Sequence, residues 1–256
     1  MDRKQLEAYR LRTGFNLQQQ ERDYFQHLIL SFIASKTTSL VFKGGTALQK
    51  AYQLPRFSED LDFEQSAGQK GLPPLELFEQ TARWLDAQGF ATRLEHQTNP
   101  EGTGKSGRFL ISGILFDGSN PSKCSVRYDV SLRDGLVRKA KAMPIKPPYA
   151  DLLEYVLPVM APDEMAAEKV RAIWSREQVR DIYDLHFLLQ QGVEIDSALV
   201  AKKMEVCREK PTWAAIRKKI EAREKLWGQM DLLTRTKPAW PQMLKFLESR
   251  LPAGPI

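Results

Sequence analysis

Apolar positions recur at spacings of three and four between residues 16 and 36, where Phe25, Leu28, Ile29, Phe32 and Ile33 fall on one stripe; this period predicts an amphipathic helix. The pattern then changes. Leu40, Val41 and Phe42 make a short apolar run that suits a buried strand ending at Gly44-Gly45, where a backbone without Cβ atoms turns sharply. Thr46 to Tyr52 regains helical character, and Pro55 closes that helix. In Asp60-Leu61-Asp62-Phe63 polar and apolar residues alternate. A strand there puts Asp60 and Asp62 on one face, about 6.6 Å apart along the chain, and turns Leu61 and Phe63 toward the core.

Residues 65–72 read as a polar, glycine-containing loop, after which Pro73 or Pro74 opens a helix to about Gln88 with Leu77, Phe78, Ala82 and Leu85 inward. A strand is expected over 90–96. Two further strand-like runs, 109–116 and 124–132, flank the turn-rich Asp117-Gly118-Ser119-Asn120-Pro121 and predict a hairpin. In the second run Val126, Tyr128, Val130 and Leu132 share one face, while Arg127, Asp129 and Ser131 share the other. Residues 140–148 read as an extended connector and 152–160 as another apolar run. A helix over 163–175 places Lys169 beside the face of Met165 and Ile173, and the next helix carries the stripe Ile182, Leu185, Leu189, with Arg180 and Asp184 one turn apart and able to pair. Beyond Ser197 the chain reads as helices broken at Pro211 and Pro238, with Trp213, Trp227 and Trp240 among basic residues. The expected architecture is α/β (α+β): a mixed sheet flanked by helices in a domain over 1–148, then a mainly helical domain over 149–256.

The net charge of +6 is unevenly placed. From Ser197 onward there are thirteen Lys or Arg against six Asp or Glu, so the preceding residues sum to minus one. A basic segment on a near-neutral body suggests an anionic macromolecule as partner, RNA ahead of DNA or an acidic protein; a solvated helical face is the plain alternative. No apolar run is long enough to cross a bilayer, and MDRKQLEAYRLR lacks the apolar core of a signal peptide, so a cytoplasmic protein without membrane contact is expected. Cys124 and Cys207 have no metal or disulfide spacing, and His27, His96 and His186 no ligand spacing. The Gly104-Lys105-Ser106 triplet is no phosphate loop, because Asn99 stands where the pattern needs glycine.

The chemistry gathers between Val41 and Phe63. Glycines at a helix N-terminus leave N–H groups free beside the positive end of the dipole, which favours a phosphate. Two carboxylates on one strand face are costly without a cation between them, and magnesium, a hard ion that takes carboxylates together with substrate phosphates, suits them. A strand with a glycine-capped turn and no catalytic role is the alternative. Lys43-Gly44-Gly45-Thr46-Ala47-Leu48 followed by Arg56-Phe57-Ser58-Glu59-Asp60-Leu61-Asp62-Phe63 resembles the AbiEii/MenT family of bacterial nucleotidyltransferase toxins, within the polymerase-β-type nucleotidyltransferase superfamily. Glu168-Lys169-Val170-Arg171-Ala172 and Arg180-Asp181-Ile182-Tyr183-Asp184-Leu185 resemble further elements of the same family.

The resemblance implies transfer of a nucleoside monophosphate from an NTP to an acceptor hydroxyl, with tRNA 3′ ends as the expected acceptor and a separately encoded antitoxin as partner. It implies that Asp60 and Asp62 hold magnesium, with manganese as the substitute, and that Asp129 on a neighbouring strand is the third metal ligand; Asp134 is the weaker choice. The turn Lys43, Gly44, Gly45, Thr46, together with Ser58, is expected at the nucleotide phosphates. Lys169 and Asp181 are expected to reach the same site from the second domain. A protein acceptor, or a nucleotide- or RNA-binding module that no longer turns over, are the rival functions.

Overall fold

The computed structural model describes residues 1–66, 72–98, 102–133, 135–207, 211–254 and 256. The loop expected over 65–72 therefore falls mostly outside the described residues, as do Asn99 and Asp134. The chain divides into two compact units. The first comprises Met1–Gln53, Phe57–Leu136 and Ala140–Val159; the second comprises Leu54–Arg56, Val137–Lys139 and Met160–Ile256.

The first unit is a seven-stranded mixed sheet with helices. Its strands are β1 (Leu40–Lys43), β2 (Leu61–Gln65), β3 (Thr92–Thr98), β4 (Gly104–Ile111), β5 (Cys124–Ser131), β6 (Lys141–Ile145) and β7 (Tyr155–Val159), ordered β3-β4-β5-β2-β1-β7-β6. β2 and β5 run parallel, as do β1 and β7, while β1 and β2 are antiparallel. Its helices are α1 (Arg3–Thr13), α2 (Leu17–Lys36), α3 (Gly44–Tyr52) and α4 (Pro74–Ala87). Asn16 caps α2 in a reciprocal capping box with Gln19, and Phe25, Ile29 and Ile33 of that helix are fully buried. Leu61 and Phe63 point into the core as the alternation requires, and Phe78 of α4 stacks on Tyr128 of β5 with ring centroids 3.9 Å apart.

Two strands differ from the expectation. The hairpin partner of β5 begins at Gly104 rather than residue 109, because the polar stretch Gly104–Arg108 is recruited by pairing on both sides. Gly107 permits this approach: a Cβ there would overlap the Glu95 carbonyl and the Tyr128 hydroxyl. The connector expected over 140–148 contains β6, an edge strand that tolerates Pro144.

The second unit is helical: α5 (Pro162–Ser175), α6 (Val179–Gln190), α7 (Ser197–Met204), α8 (Trp213–Glu221), a 3-10 segment (Glu224–Leu232) and α9 (Trp240–Arg250). Trp213, Trp227 and Trp240 are all buried, as helix cores. Several of the basic residues that give this segment its surplus are committed internally. Lys219 donates to the Trp174 carbonyl, and Arg223 to those of Ile173 and Arg176, so the open carbonyls at the end of α5 are closed by cations from α8 and the turn after it. Lys203 pairs with Glu164 at 2.6 Å, and Arg217 donates to the Leu251 and Pro252 carbonyls.

Candidate active site

The first unit brings Asp62 and Asp129 directly opposite one another on β2 and β5. Their row extends across five strands: Lys43 on β1 faces Asp62, Ser106 on β4 faces Asp129, and Gln97 on β3 faces Ser106. Residues directly opposite in a sheet share a face, so the row places a lysine, two carboxylates, a hydroxyl and an amide along one line. Asp60 lies one residue before the start of β2, close enough for its charge to act on Asp129. The Asp129 pKa is raised, first by loss of water around its carboxyl group and then by Asp60 and Glu64, against the opposing pull of Lys43 and Arg133.

Gly44 begins α3 with φ of 75°, and a Cβ at that position would overlap the Asp62 carboxylate. Asp62 therefore packs against the glycine turn itself. Lys43, the residue that caps α3, supplies no side-chain cap to its first turn. Its ammonium instead donates to Glu64 Oε2 at 2.7 Å. Glu64 is almost fully buried, and its other oxygen accepts from the Ser131 hydroxyl at 2.8 Å and the Gly135 N–H at 3.0 Å. Sequence reasoning passed over Glu64, although it continues the Asp60, Asp62 alternation by one more step. Its role is to hold Lys43 and to tie β2 to β5 and the chain after it.

Thr46 is buried, and its hydroxyl donates to the Asp60 carbonyl, which fixes the backbone that carries Asp60 rather than presenting the hydroxyl outward. Ser58 is buried too, with its N–H donating to Gln49 Oε1 at 3.0 Å and its carbonyl accepting from Gln26 Nε2 at 3.0 Å. Gln26 also donates to the Glu59 carbonyl at 2.8 Å. Behind Gln49 stands Asp23, which accepts from Gln49 Nε2, from Lys50 at 2.9 Å and from the Tyr149 hydroxyl at 2.7 Å. Burial opposes ionisation of Asp23, but Lys50 and His27 outweigh it and hold its pKa below the usual value. The segment leading to Asp60 is thus clamped by two glutamines from different helices, one of them seated on a buried ion pair. Gln26, Gln49 and Asp23 gave no signal in the sequence, because each acts through a fold contact more than twenty residues away except Gln49 to Ser58.

Lys169 and Asp181, expected at the nucleotide site, belong to the second unit. Lys169 lies between Asp181 at 3.1 Å and Asp184 at 2.7 Å, and all three side chains are buried. Asp184 also takes Arg56 through two hydrogen bonds of 2.6 and 2.7 Å, and Asp181 takes Arg176 through two of 2.8 and 2.9 Å. Asp184 pairs with Arg56 and Lys169, not with Arg180 one turn away. Burial would lower the Lys169 pKa, yet Asp184 and Asp181 raise it, and the same cations keep both aspartates ionised. The anionic partner that the buried amine demands is supplied here by two carboxylates of its own unit.

Asp60, Asp62 and Asp129 themselves offer only carboxylate oxygens, the ligand type a hard divalent cation takes. Among the described residues no group of three or more aspartate, glutamate, histidine or cysteine side chains stands close enough together to hold a metal ion.

The sequence profile of the AbiEii nucleotidyl transferase toxins, described as a type IV toxin–antitoxin system, matches residues 30–253. The chain belongs to the AbiEii nucleotidyltransferase toxin family. The match spans both units, and the family's toxin–antitoxin setting implies an antitoxin partner for this AbiEii protein. Among solved structures the fold is similar to that of the MenT4 nucleotidyltransferase toxin of Mycobacterium tuberculosis, with a TM-score of 0.67, 21% identity, and coverage of 98% of this chain and 88% of that one. It is also similar to JHP933 from Helicobacter pylori, with a TM-score of 0.54, 17% identity, and coverage of 92% and 91%. Among curated proteins no sequence relative matches. No helix among the described residues of this AbiEii chain is long and apolar enough to cross a membrane.

Proposed function

We propose that this toxin transfers a nucleoside monophosphate from an NTP to the 3′ hydroxyl of an RNA, with tRNA as the first acceptor to test, in a reaction that depends on magnesium or manganese. The observation that carries the reading is the direct opposition of Asp62 and Asp129 beside the Gly44 turn. Asp60 and Asp62 would hold the metal at the triphosphate, and Asp129 the metal at the acceptor. When bound, the divalent ion would compensate the charge of the triphosphate and favour ionisation of the acceptor hydroxyl.

The protein's own part is positioning. The first turn of α3, at Gly44, Gly45 and Thr46, would direct its N–H groups and its dipole toward a phosphate. Thr46 and Ser58 would fix the Asp60 backbone, while Lys43, locked by Glu64, would set the positive end of the row. The acceptor oxygen bonds to the α-phosphorus as the bond to the bridging oxygen breaks; pyrophosphate leaves and the hydroxyl proton passes to water. Alignment and charge compensation supply most of the rate in such transfers.

The test is NTP-dependent labelling of total cellular RNA, with each of the four labelled nucleotides and with or without magnesium. Asp60→Ala is expected to abolish labelling. Labelling at the wild-type rate would remove Asp60 from the mechanism, and labelling of a protein in place of RNA would change the acceptor.

A further inference from the structure

On the face of the sheet that bears Asp62 and Asp129, the next row toward the start of β5 is Glu95, Arg108 and Arg127, on β3, β4 and β5. Arg127 stands two residues before Asp129, on the same side and about 6.6 Å along the strand. Its side chain is exposed and makes no hydrogen bond or ion pair among the described residues. Arg108, also exposed, donates to Glu95 Oε2 at 2.6 Å, and Arg93 pairs with the other oxygen of the same carboxylate. One carboxylate thus serves two guanidinium groups while the third has none. Two arginines directly opposite on neighbouring strands repel each other, so their juxtaposition costs stability that an anionic ligand would return.

We propose that Arg127, with Arg108 beside it, binds the internucleotide phosphate nearest the 3′ end of the RNA acceptor. The proposal rests on the reading of the chain as an RNA nucleotidyltransferase and extends it to where the acceptor lies. A guanidinium fork matches two phosphate oxygens at once. With the terminal hydroxyl at Asp129, a phosphate one linkage back along β5 would meet either Ser131, which is committed to Glu64, or Arg127, which is exposed, and the guanidinium is the group of the two that matches a phosphate. The row of Ser106 and Gln97 offers neutral hydrogen-bonding groups beside it, consistent with a strand of nucleic acid crossing an open sheet face rather than an acidic helix seated in a groove.

The experiment titrates a fluorescent single-stranded RNA, without NTP, into the full-length protein at several salt concentrations. Arg127→Gln is expected to raise the Kd about tenfold, the scale of one lost charge-assisted hydrogen-bond pair, and to reduce the salt slope by about one. In turnover the loss falls on the KM for RNA rather than the KM for NTP. Replacing the last internucleotide phosphate by an uncharged methylphosphonate is expected to weaken binding to wild type by a similar factor and to leave Arg127→Gln unaffected. Equal weakening of both proteins, or an unchanged Kd for Arg127→Gln, overturns the site. A wild-type protein that labels RNA with the same acceptor KM as Arg127→Gln overturns the site alone. A wild-type protein that labels a protein and binds no RNA overturns the site together with the reading beneath it.

Discussion

Gly44 joins two requirements that only glycine meets together, a φ of 75° and no Cβ where the Asp62 carboxylate stands. Gly44→Ala is expected to cost about 1–2 kcal/mol from the left-handed backbone alone. The displaced Asp62 should cost about a hundredfold in transfer rate, since a misplacement of roughly 1 Å suffices for that. Thermal unfolding and single-turnover labelling check the two effects separately. His27 offers a different single-residue test. Burial pushes its pKa down to about 3, Lys50 acts in the same direction and Asp23 opposes. Its Nδ1 meets the Tyr155 hydroxyl at 2.9 Å, its Nε2 faces Asp23 at 3.7 Å, and the Tyr149 ring lies edge-on. A histidine whose folded pKa lies below its unfolded value takes up its proton mainly on unfolding. Stability therefore falls as pH drops below about 6.5, by up to about 1.4 kcal/mol per unit. His27→Gln should flatten the fall between about pH 6.5 and 5, above the range where the paired aspartates titrate. Denaturant curves at three pH values would show it, and an unchanged slope would place the loss elsewhere.

At the scale of elements, α3 holds the site from behind as well as in front. Its first turn meets Asp62 and Asp60, and Gln49 near its other end fixes the Ser58 N–H on the approach to Asp60. Gln49→Leu is predicted to lower the rate about 10- to 100-fold, the usual effect of removing a support one step behind a ligand, while the KM for NTP changes little. Steady-state kinetics separates the two. Much of this element could be read from the sequence, because the glycine pair, the apolar run before it and the alternation after it are local signals. The supports could not. Gln26 on α2 reaches Ser58, and Asp23 reaches Tyr149, across separations that leave no periodic trace. The start of β4 leaves no local trace for a related reason: Gly104 to Arg108 has no apolar pattern and becomes a strand only through its neighbours on both sides. Glu64 was legible and was missed, since the alternation that singled out Asp60 and Asp62 continues to it.

For the molecule as a whole, the two units depend on buried charge in different ways. In the second unit Arg56, Lys169 and Arg176 share Asp181 and Asp184, both fully buried. Removing one partner of such a set leaves a charge without full compensation. Arg56→Met is predicted to destabilise the protein by about 3–5 kcal/mol, measured by denaturant unfolding. A loss below about 1 kcal/mol would mean that Lys169 alone satisfies Asp184. The overall charge also needs a different reading from the one its distribution first suggests. Part of the C-terminal surplus is spent on the helix end at Ile173, Trp174 and Arg176 and on Glu164, so the count of basic residues there overstates what is left for a nucleic acid.

The closure of α5 by Lys219 and Arg223 sets a limit on how far this chain can be shortened. A deletion that removed everything after residue 216 would discard more than a tail, because three peptide oxygens at the foot of the helix that carries Lys169 would lose their donors at one stroke. Engineers seeking a minimal version should therefore expect the fraying to start at that foot and travel inward toward the lysine.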